Sequence, residues 1–561
     1  MAAPARRQLK TIQQPDGSTI TIQLQGDEWH HWTTDDQGHL LSLDSQGVYR
    51  LATEAEHRQW QATHAEAQAR RSAYTAKQRR SATRGVGEIN DDNTPSDSLV
   101  SHFTFPTQGV VRGLVVLVEY TDIQFSIIDD PLQEYTDMLN KNGYNRATIN
   151  SQGKPSTKFY HRGSARDYYI LNSDSIFTPE FDVFGPIPLE HERAYYGKNS
   201  NNFDARPGEM ITEACHYLDS IGIDLSCYDA NNDGVIDFVF AIYAGEGENA
   251  VDAPSEAVWP HSWDVPSATG SRYFYQDYEV RDYACTCEIY GGQLDGVGTF
   301  CHEFTHVLGL PDVYNTDNNK TILTAGDFDV LDTGCYNLNG YCPCNLSAYE
   351  RYELGWLKPE VLTDPAQYFL PAKEHGPAYI IPITEGLKDP REGEYYLLEN
   401  RQQIGSDEPL PGHGMLLWHI DFSASAWSNN VVNNSTDHLC IDLIEANNAQ
   451  NHNNDAGIPF PGTEGITQLS DDTTPALSGW SEPGNRKSSE LGNRLEKDIN
   501  GITESADGEI SFWYLMEPIS LPSLPAETRN DAHRIIIDHQ GRTLIQTPHG
   551  LYTPMGQQVK E

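Results

Sequence analysis

Cys301-His302-Glu303-Phe304-Thr305-His306-Val307-Leu308-Gly309-Leu310-Pro311-Asp312 is the stretch on which the reading of this chain turns. On a helix each residue advances about 100°, so His302 and His306 lie one turn apart on one face. Two imidazoles so placed can hold one Zn²⁺, and Glu303 projects beside them, where a carboxylate can take the proton of an attacking water. Gly309 can end the helix and turn the chain back, and Asp312 then arrives where a third ligand is needed. The fourth position stays open, as in catalytic rather than structural zinc sites. One competing reading is an ordinary surface helix carrying two histidines. Against it, Phe300, Phe304, Val307, Leu308 and Leu310 suit a buried helix whose metal face looks into a cleft. Another takes the third ligand from a later helix, Glu350 in Ser347-Ala348-Tyr349-Glu350, leaving Asp312 as a cap. The compact spacing favours Asp312.

Around this motif, 561 residues are too many for one core. The composition is globular, 38% hydrophobic with 45 Gly and 32 Pro, which predicts many turns and short strands. The formal net charge of −43 argues against nucleic acid or anionic membranes as partners. It suits an exported protein that binds Ca²⁺, or simply a well-solvated surface. No window has the length and apolarity of a membrane span. Met1-Ala2-Ala3-Pro4-Ala5-Arg6-Arg7 lacks an apolar signal core; the expectation is a secreted or cell-surface protein whose signal peptide is already removed. The odd number of cysteines, nine, leaves at least one thiol unpaired within the chain. The Cys285/Cys287 and Cys342/Cys344 pairs read first as cross-linked strands, then as reduced thiols, and last as a Cys₄ zinc site.

Along the chain, residues 8–52 predict a small β unit with turns at Asp16-Gly17, Gln37-Gly38 and Gln46-Gly47. Residues 53–80, without Gly or Pro, predict one helix, and 81–105 an exposed linker. Gly113–Tyr120 and Val235–Tyr243 read as buried strands, 208–221 as a helix, and Ser164 as the N-cap of another. The zinc helix is predicted at about 296–309, which gives an α/β order. From about 370 onward short strands predict a β-sandwich, followed by a Pro-rich joint and a short tail.

Two further stretches carry chemistry. Asp229, Asn231, Asp233 and Asp237 place oxygen ligands at positions 1, 3, 5 and 9 of an EF-type loop, with Gly234 at the turn and the Val235 carbonyl at position 7. The glutamate expected at position 12 is replaced by Phe240, so Ca²⁺ binding competes with a plain turn. Gly326–Asn337 is turn-rich and could floor the metal site. Within it Tyr336 could hydrogen-bond a tetrahedral intermediate or be a core tyrosine. His413 and His419 read as core or loop histidines before a second metal site, and His261 as a residue that could reach the cleft.

These motifs together resemble the immune inhibitor A family of secreted zinc metallopeptidases. The likeness rests on the zinc segment through Tyr314, the strip at 326–337, Arg166-Asp167-Tyr168, Phe181–Pro186, Tyr195-Tyr196-Gly197, Leu354-Gly355-Trp356 and Glu399-Asn400-Arg401. Pro15-Asp16-Gly17 and Gln25-Gly26-Asp27-Glu28 resemble the family's pro-segment. The main departure is Leu331, where the metzincin-type turn usually carries Met. The resemblance implies an α/β metzincin-like zinc-peptidase domain plus an all-β C-terminal sandwich, with a small N-terminal pro-domain. The expected division is 1–80 pro-domain, 81–105 linker, 106–372 catalytic domain, 373–518 sandwich, and 519–561 a tail that resembles a sorting module of type IX secretion cargo. The implied protein is a monomeric zinc endopeptidase acting on protein or peptide substrates, made as a latent zymogen, with His302, His306 and Asp312 on Zn²⁺, Glu303 as base and Ca²⁺ structural. Asp27 or Glu28 is expected to reach the open zinc position in the latent form. The rivals are an inactive metal-holding binding protein and a metal-dependent esterase.

Overall fold

Leu114-Val115-Val116-Leu117-Val118 carries aliphatic side chains on both faces, and all five are fully buried. That is the pattern of a strand covered from two sides, and it forms the middle of the sheet that positions the site. A computed structural model describes residues 1–85, 105–516 and short strands within 534–559, apart from 7, 151–153, 200–203, 252, 318–322, 436–437, 450–451, 453 and 481–490. The chain divides into two units, Met1–Met516 and Glu517–Glu561.

The first unit begins with strands β1 (Lys10–Gln13), β2 (Thr19–Asp27) and β3 (His30–Asp35), paired antiparallel in that order. A two-stranded hairpin, Leu41–Leu43 with Tyr49–Leu51, leads to helix α1 (Glu54–Gly85). The helix runs past residue 80 into the expected linker because Ser81-Ala82-Thr83-Arg84 contains no helix breaker. The expected linker beyond it, 86–104, lies outside the described residues.

The next sheet is built on β4 (Gly109–Glu119), β5 (Phe177–Pro188), β6 (Val239–Glu246), β7 (His261–Asp264) and β8 (Asp282–Tyr290). Its order is β7-β8-β6-β4-β5, parallel except for the antiparallel edge strand β7. The strand expected at Val235–Tyr243 is split. Val235-Ile236 pairs with Glu279-Val280 in another sheet, because Asp237 folds back to accept the Ala230 amide at 2.8 Å. Ser164 caps its helix as expected, through a capping box with Asp167.

Helix α2 (Val297–Val307) lies on this sheet. Phe300 stacks on Phe240 with ring centroids 4.2 Å apart, and Phe304 meets Phe181 edge-on at 5.2 Å. Helix α3 (Ala348–Glu353) follows. Beyond it two sheets face each other. One joins Glu360–Val361, Tyr379–Pro382, Glu394–Arg401, Gly414–Asp421 and Ile441–Ile444; the other joins Ala366–Leu370, Ile510–Tyr514, Ile499–Glu504 and Gln468–Leu469. Leu370, Ile381, Leu398, Leu417, Ile502 and Phe512 fill the space between them. The β-rich region thus starts at Glu360 rather than at 373, because Ala366–Leu370 pairs with Ile510–Tyr514 along its whole length. The second unit contains a four-stranded antiparallel sheet of Arg534–Ile537, Thr543–Thr547, Gly550–Tyr552 and Gln558–Val559.

All nine cysteines are free thiols, eight of them buried. The expected cross-links at Cys285/Cys287 and Cys342/Cys344 are absent. Adjacent side chains along a strand point to opposite faces, but residues two apart share one, so Cys285 and Cys287 lie on one face of β8 at different depths. Cys285 meets His261 and Cys287 meets Asp295 instead. Among the described residues no helix is long and apolar enough to cross a membrane.

Candidate metal centre and cleft

Helix α2 ends where Gly309 takes φ +102°, a conformation costly for any residue with a Cβ. The chain then doubles back and returns Asp312 to the face that carries His302 and His306. His302 Nε2 and His306 Nε2 are 3.1 Å apart, and Asp312 Oδ1 lies 3.3 and 3.0 Å from them. All three side chains are fully buried. Among the described residues this is the one group of three or more His, Cys, Asp or Glu side chains whose ligand atoms converge closely.

The donor set fits a tetrahedral cation. Each histidine gives its Nδ1–H to a backbone carbonyl, His302 to Val330 at 2.7 Å and His306 to Leu310 at 2.9 Å. That leaves both Nε2 atoms as lone pairs facing each other, a repulsive arrangement without a cation between them. A tetrahedral ion with bonds of ~2.0–2.1 Å holds its ligand atoms roughly 3.3 Å apart, close to the spacing here. Asp312 Oδ1 accepts no hydrogen bond.

The other Asp312 oxygen is held by Asn430 Nδ2, and Asn430 Oδ1 accepts the Asp312 amide at 2.7 Å. Asn430 comes from the β-rich region, more than a hundred residues away in sequence. The neighbouring Asn433 and Asn434 pin Val313, Asn315 and Thr316 of the same turn. Two asparagine pairs, Asn429-Asn430 and Asn433-Asn434, are the trace of this support in the sequence. Glu350 does not compete: it closes the capping box of α3, accepting the Ser347 amide at 2.6 Å.

The strip at 326–337 lies under the site. Val330 supplies the carbonyl for His302, and Leu331, fully buried, accepts the Val313 amide at 2.9 Å. The approach is close because of Gly298, where an added Cβ would lie 1.9 Å from the Cys335 carbonyl.

Glu303 is fully buried beside the cluster, and burial pushes its carboxyl up to about 8. Its Oε1 accepts the amide of Ala3 at 2.7 Å, while Oε2 has no hydrogen-bond partner. Ala3 belongs to a buried segment at the start of the chain. Met1 exchanges both backbone hydrogen bonds with Ser262 on the edge strand β7, at 2.7 and 3.1 Å. The Ala2 carbonyl accepts from Tyr314 at 2.9 Å, Ala3 from the Trp259 indole at 3.2 Å, and Pro4 from Tyr336 at 2.8 Å. Tyr336 thus faces a peptide carbonyl and also receives Asn249 Nδ2 at 3.3 Å.

Asp27 and Glu28 do not sit at the metal position, contrary to the expectation. Asp27 accepts the Trp29 and His30 amides and faces Arg71 at 3.2 Å; Arg71 in turn donates to the Thr316 carbonyl. A buried arginine outbids a more distant cluster for that carboxylate. Glu28 faces the amino group of Met1 at 3.2 Å. His261 is a strut between the Trp259 carbonyl and the Tyr283 hydroxyl. His419 pairs with Glu394 and His413 with Glu504, each at 2.7 Å, so they do not share a site.

In the loop of Asp229, Asn231, Asp233, Val235 and Asp237, the carboxylates gather over their own backbone. Asp229 accepts the Asp233 and Gly234 amides, and Asp233 accepts that of Val235. Asp237 Oδ1 has no hydrogen-bond partner, and burial with Asp229 and Asp233 nearby pushes this carboxyl up to about 6.

Residues 106–358 match the family described as immune inhibitor A peptidase M6, catalytic domain. Immune inhibitor A of Bacillus thuringiensis subsp. alesti is 29% identical over 233 residues, covering 37% of this chain and 34% of that protein. Pre-pro-metalloprotease PrtV of Vibrio cholerae serotype O1 (strain M66-2) is 23% identical over 353 residues, covering 52% of this chain and 36% of that protein. The chain spans about a third of the length of these curated relatives. The matched segment contains the helix, the glycine turn and the converging His302, His306 and Asp312, and it is this segment that is similar to the catalytic domain of the immune inhibitor A, or M6, peptidases.

Proposed function

We propose that the chain is a secreted zinc-dependent endopeptidase of the metzincin type, made as a latent zymogen, with its catalytic domain following an N-terminal pro-domain. The observation that carries this reading is the convergence of two imidazole lone pairs and one carboxylate oxygen beside a buried glutamate that touches a peptide amide. His302, His306 and Asp312 would hold the zinc, which supplies Lewis-acid polarisation of the scissile carbonyl when bound. Glu303 takes the proton from the attacking water and passes it to the leaving amine. Tyr336 donates to the carbonyl oxygen, as it now does to Pro4. Edge strand β7 supports an extended substrate by backbone pairing, as it does Met1. Residues 1–5 fill the cleft in the latent chain. The 229–237 loop binds a structural Ca²⁺, for which the unpartnered Asp237 oxygen is the support.

The test uses the full chain, zinc-loaded, before and after a cut between Arg79 and Pro95, with casein as substrate. Glu303→Gln is expected to retain zinc and the melting temperature while casein hydrolysis drops at least about 10²-fold. Parental rates in the variant would remove Glu303 from the mechanism. Small-ester hydrolysis without peptide cleavage would favour an esterase instead.

A further inference from the structure

A second group of buried charges lies in the same cleft and has no part in the proposed hydrolysis. Glu248 follows β6, Asp204 precedes the helix Pro207–Ser220, and Trp259 leads into β7. Glu248 is 6% exposed; its Oε1 accepts from Asn199 Nδ2 at 2.6 Å and faces His31 Nε2 at 3.3 Å. Asp204 Oδ2 accepts the Trp259 amide at 3.0 Å, whereas Oδ1 is buried with no hydrogen-bond partner. Burial and the Glu248 charge push Asp204 well above the usual carboxylate range. His31 is not part of the matched peptidase segment. It reaches in from β3, and its ring stacks on Trp259 with centroids 4.9 Å apart and planes 26° apart. Trp259 also donates its indole N–H to the Ala3 carbonyl, and the Ala3 amide touches Glu303. The acidic recess is therefore one side chain removed from the backbone that lies against the catalytic glutamate.

We propose that Glu248, Asp204 and Trp259 form a specificity subsite that selects a cationic side chain, arginine or lysine, of a peptide substrate, and that His31 occupies it in the latent chain. The proposal rests on the peptidase reading above. Departure of the N-terminal module removes His31, and Glu28 with it, but leaves Glu248 and Asp204 in place. Two desolvated carboxylates without a cation are strongly unfavourable, and a neutral side chain would seal them in that state. A guanidinium or ammonium supplies charge and hydrogen-bond donors for the empty Asp204 oxygen, and the indole face that now carries His31 adds a cation–π contact.

The full chain, zinc-loaded and cut between Arg79 and Pro95, is assayed with peptides that differ at one position at a time, arginine against its neutral stand-in norleucine. One position should favour arginine by about 10²-fold in kcat/KM, the scale on which leaving buried polar groups unpaired is penalised. Glu248→Gln, which keeps the shape, should bring that ratio close to one, and Glu248→Lys should turn the preference at that position toward glutamate. Should the lysine variant fail to fold by thermal melting, the glutamine variant decides. Casein hydrolysis with no arginine preference at any position, or a preference unchanged by Glu248→Gln, would overturn the subsite. Absence of any Glu303-dependent casein hydrolysis would instead overturn the peptidase reading beneath it.

Discussion

At the scale of single residues, the metal cluster was legible because helix geometry is periodic: positions four apart on a helix must meet. Asp312 was legible only through Gly309, whose positive φ makes the reversal possible. Asn430, Ala3 and His31 were not, since each meets the site across more than a hundred residues of sequence, and no local pattern encodes such a contact. The choice of third ligand is testable here. Asp312→Ala should strip zinc under mild chelation, because two imidazoles alone bind it far more weakly, and loss even of an outer partner costs roughly 10–100-fold in affinity. Glu350→Ala should leave zinc content unchanged and lower only stability, by about 1 kcal/mol for a lost capping box. Metal content of the two variants checks this, and the reverse pattern would hand the ligand to Glu350.

At the scale of elements, α2 and β4 followed the hydrophobic pattern of their sequences within two to four residues. The strand at 235–243 did not, because periodicity cannot see a carboxylate that prefers an amide seven residues back. That carboxylate, Asp237, also sets the behaviour expected of the proposed calcium loop. Its pKa in the fold, about 6, lies above the ordinary value, so the metal-free fold holds its proton more tightly than the unfolded chain does. The metal-free protein therefore gains stability from this group as pH falls from about 6 toward about 4. Ca²⁺ competes with the same proton. Added Ca²⁺, with zinc held constant, should raise the melting temperature above about pH 6 and have a shrinking effect below it. Asp229→Ala with Asp233→Ala should abolish the response at every pH. A melting curve indifferent to Ca²⁺ at pH 7.5 would reduce the loop to a turn.

At the scale of the whole molecule, the contacts that join the N-terminal module to the peptidase segment include three that reach the site or its turn. Residues 1–5 line the cleft, His31 lies on Glu248 and Trp259, and the buried Arg71 bridges Asp27 to the Thr316 carbonyl. The expectation of a tethered inhibitor placed its plug at Asp27 or Glu28, because a carboxylate is the obvious zinc ligand. The backbone of Ala2–Ala5 does the filling instead, and alanine and proline carry no chemical signal that a motif search can see. The uncut chain should be nearly inactive on casein and should gain activity on cutting between Arg79 and Pro95. The contacts also predict which substitutions bypass the cut. Removing one partner of a buried ion pair costs ~3 kcal/mol or more, enough to raise the open fraction about a hundredfold if closure is what it stabilises. Arg71→Ala should therefore raise the activity of the uncut chain, while leaving the activity reached after cutting unchanged, since α1 is then gone. Ala3→Arg should act in the same direction, because Ala3 is fully buried against the cleft and has no room for a long side chain. Casein hydrolysis by uncut parent, Arg71→Ala and Ala3→Arg, each scaled to its own fully cut form, measures this. A parent already at full rate before cutting would show that the segment lies in the cleft without inhibiting it.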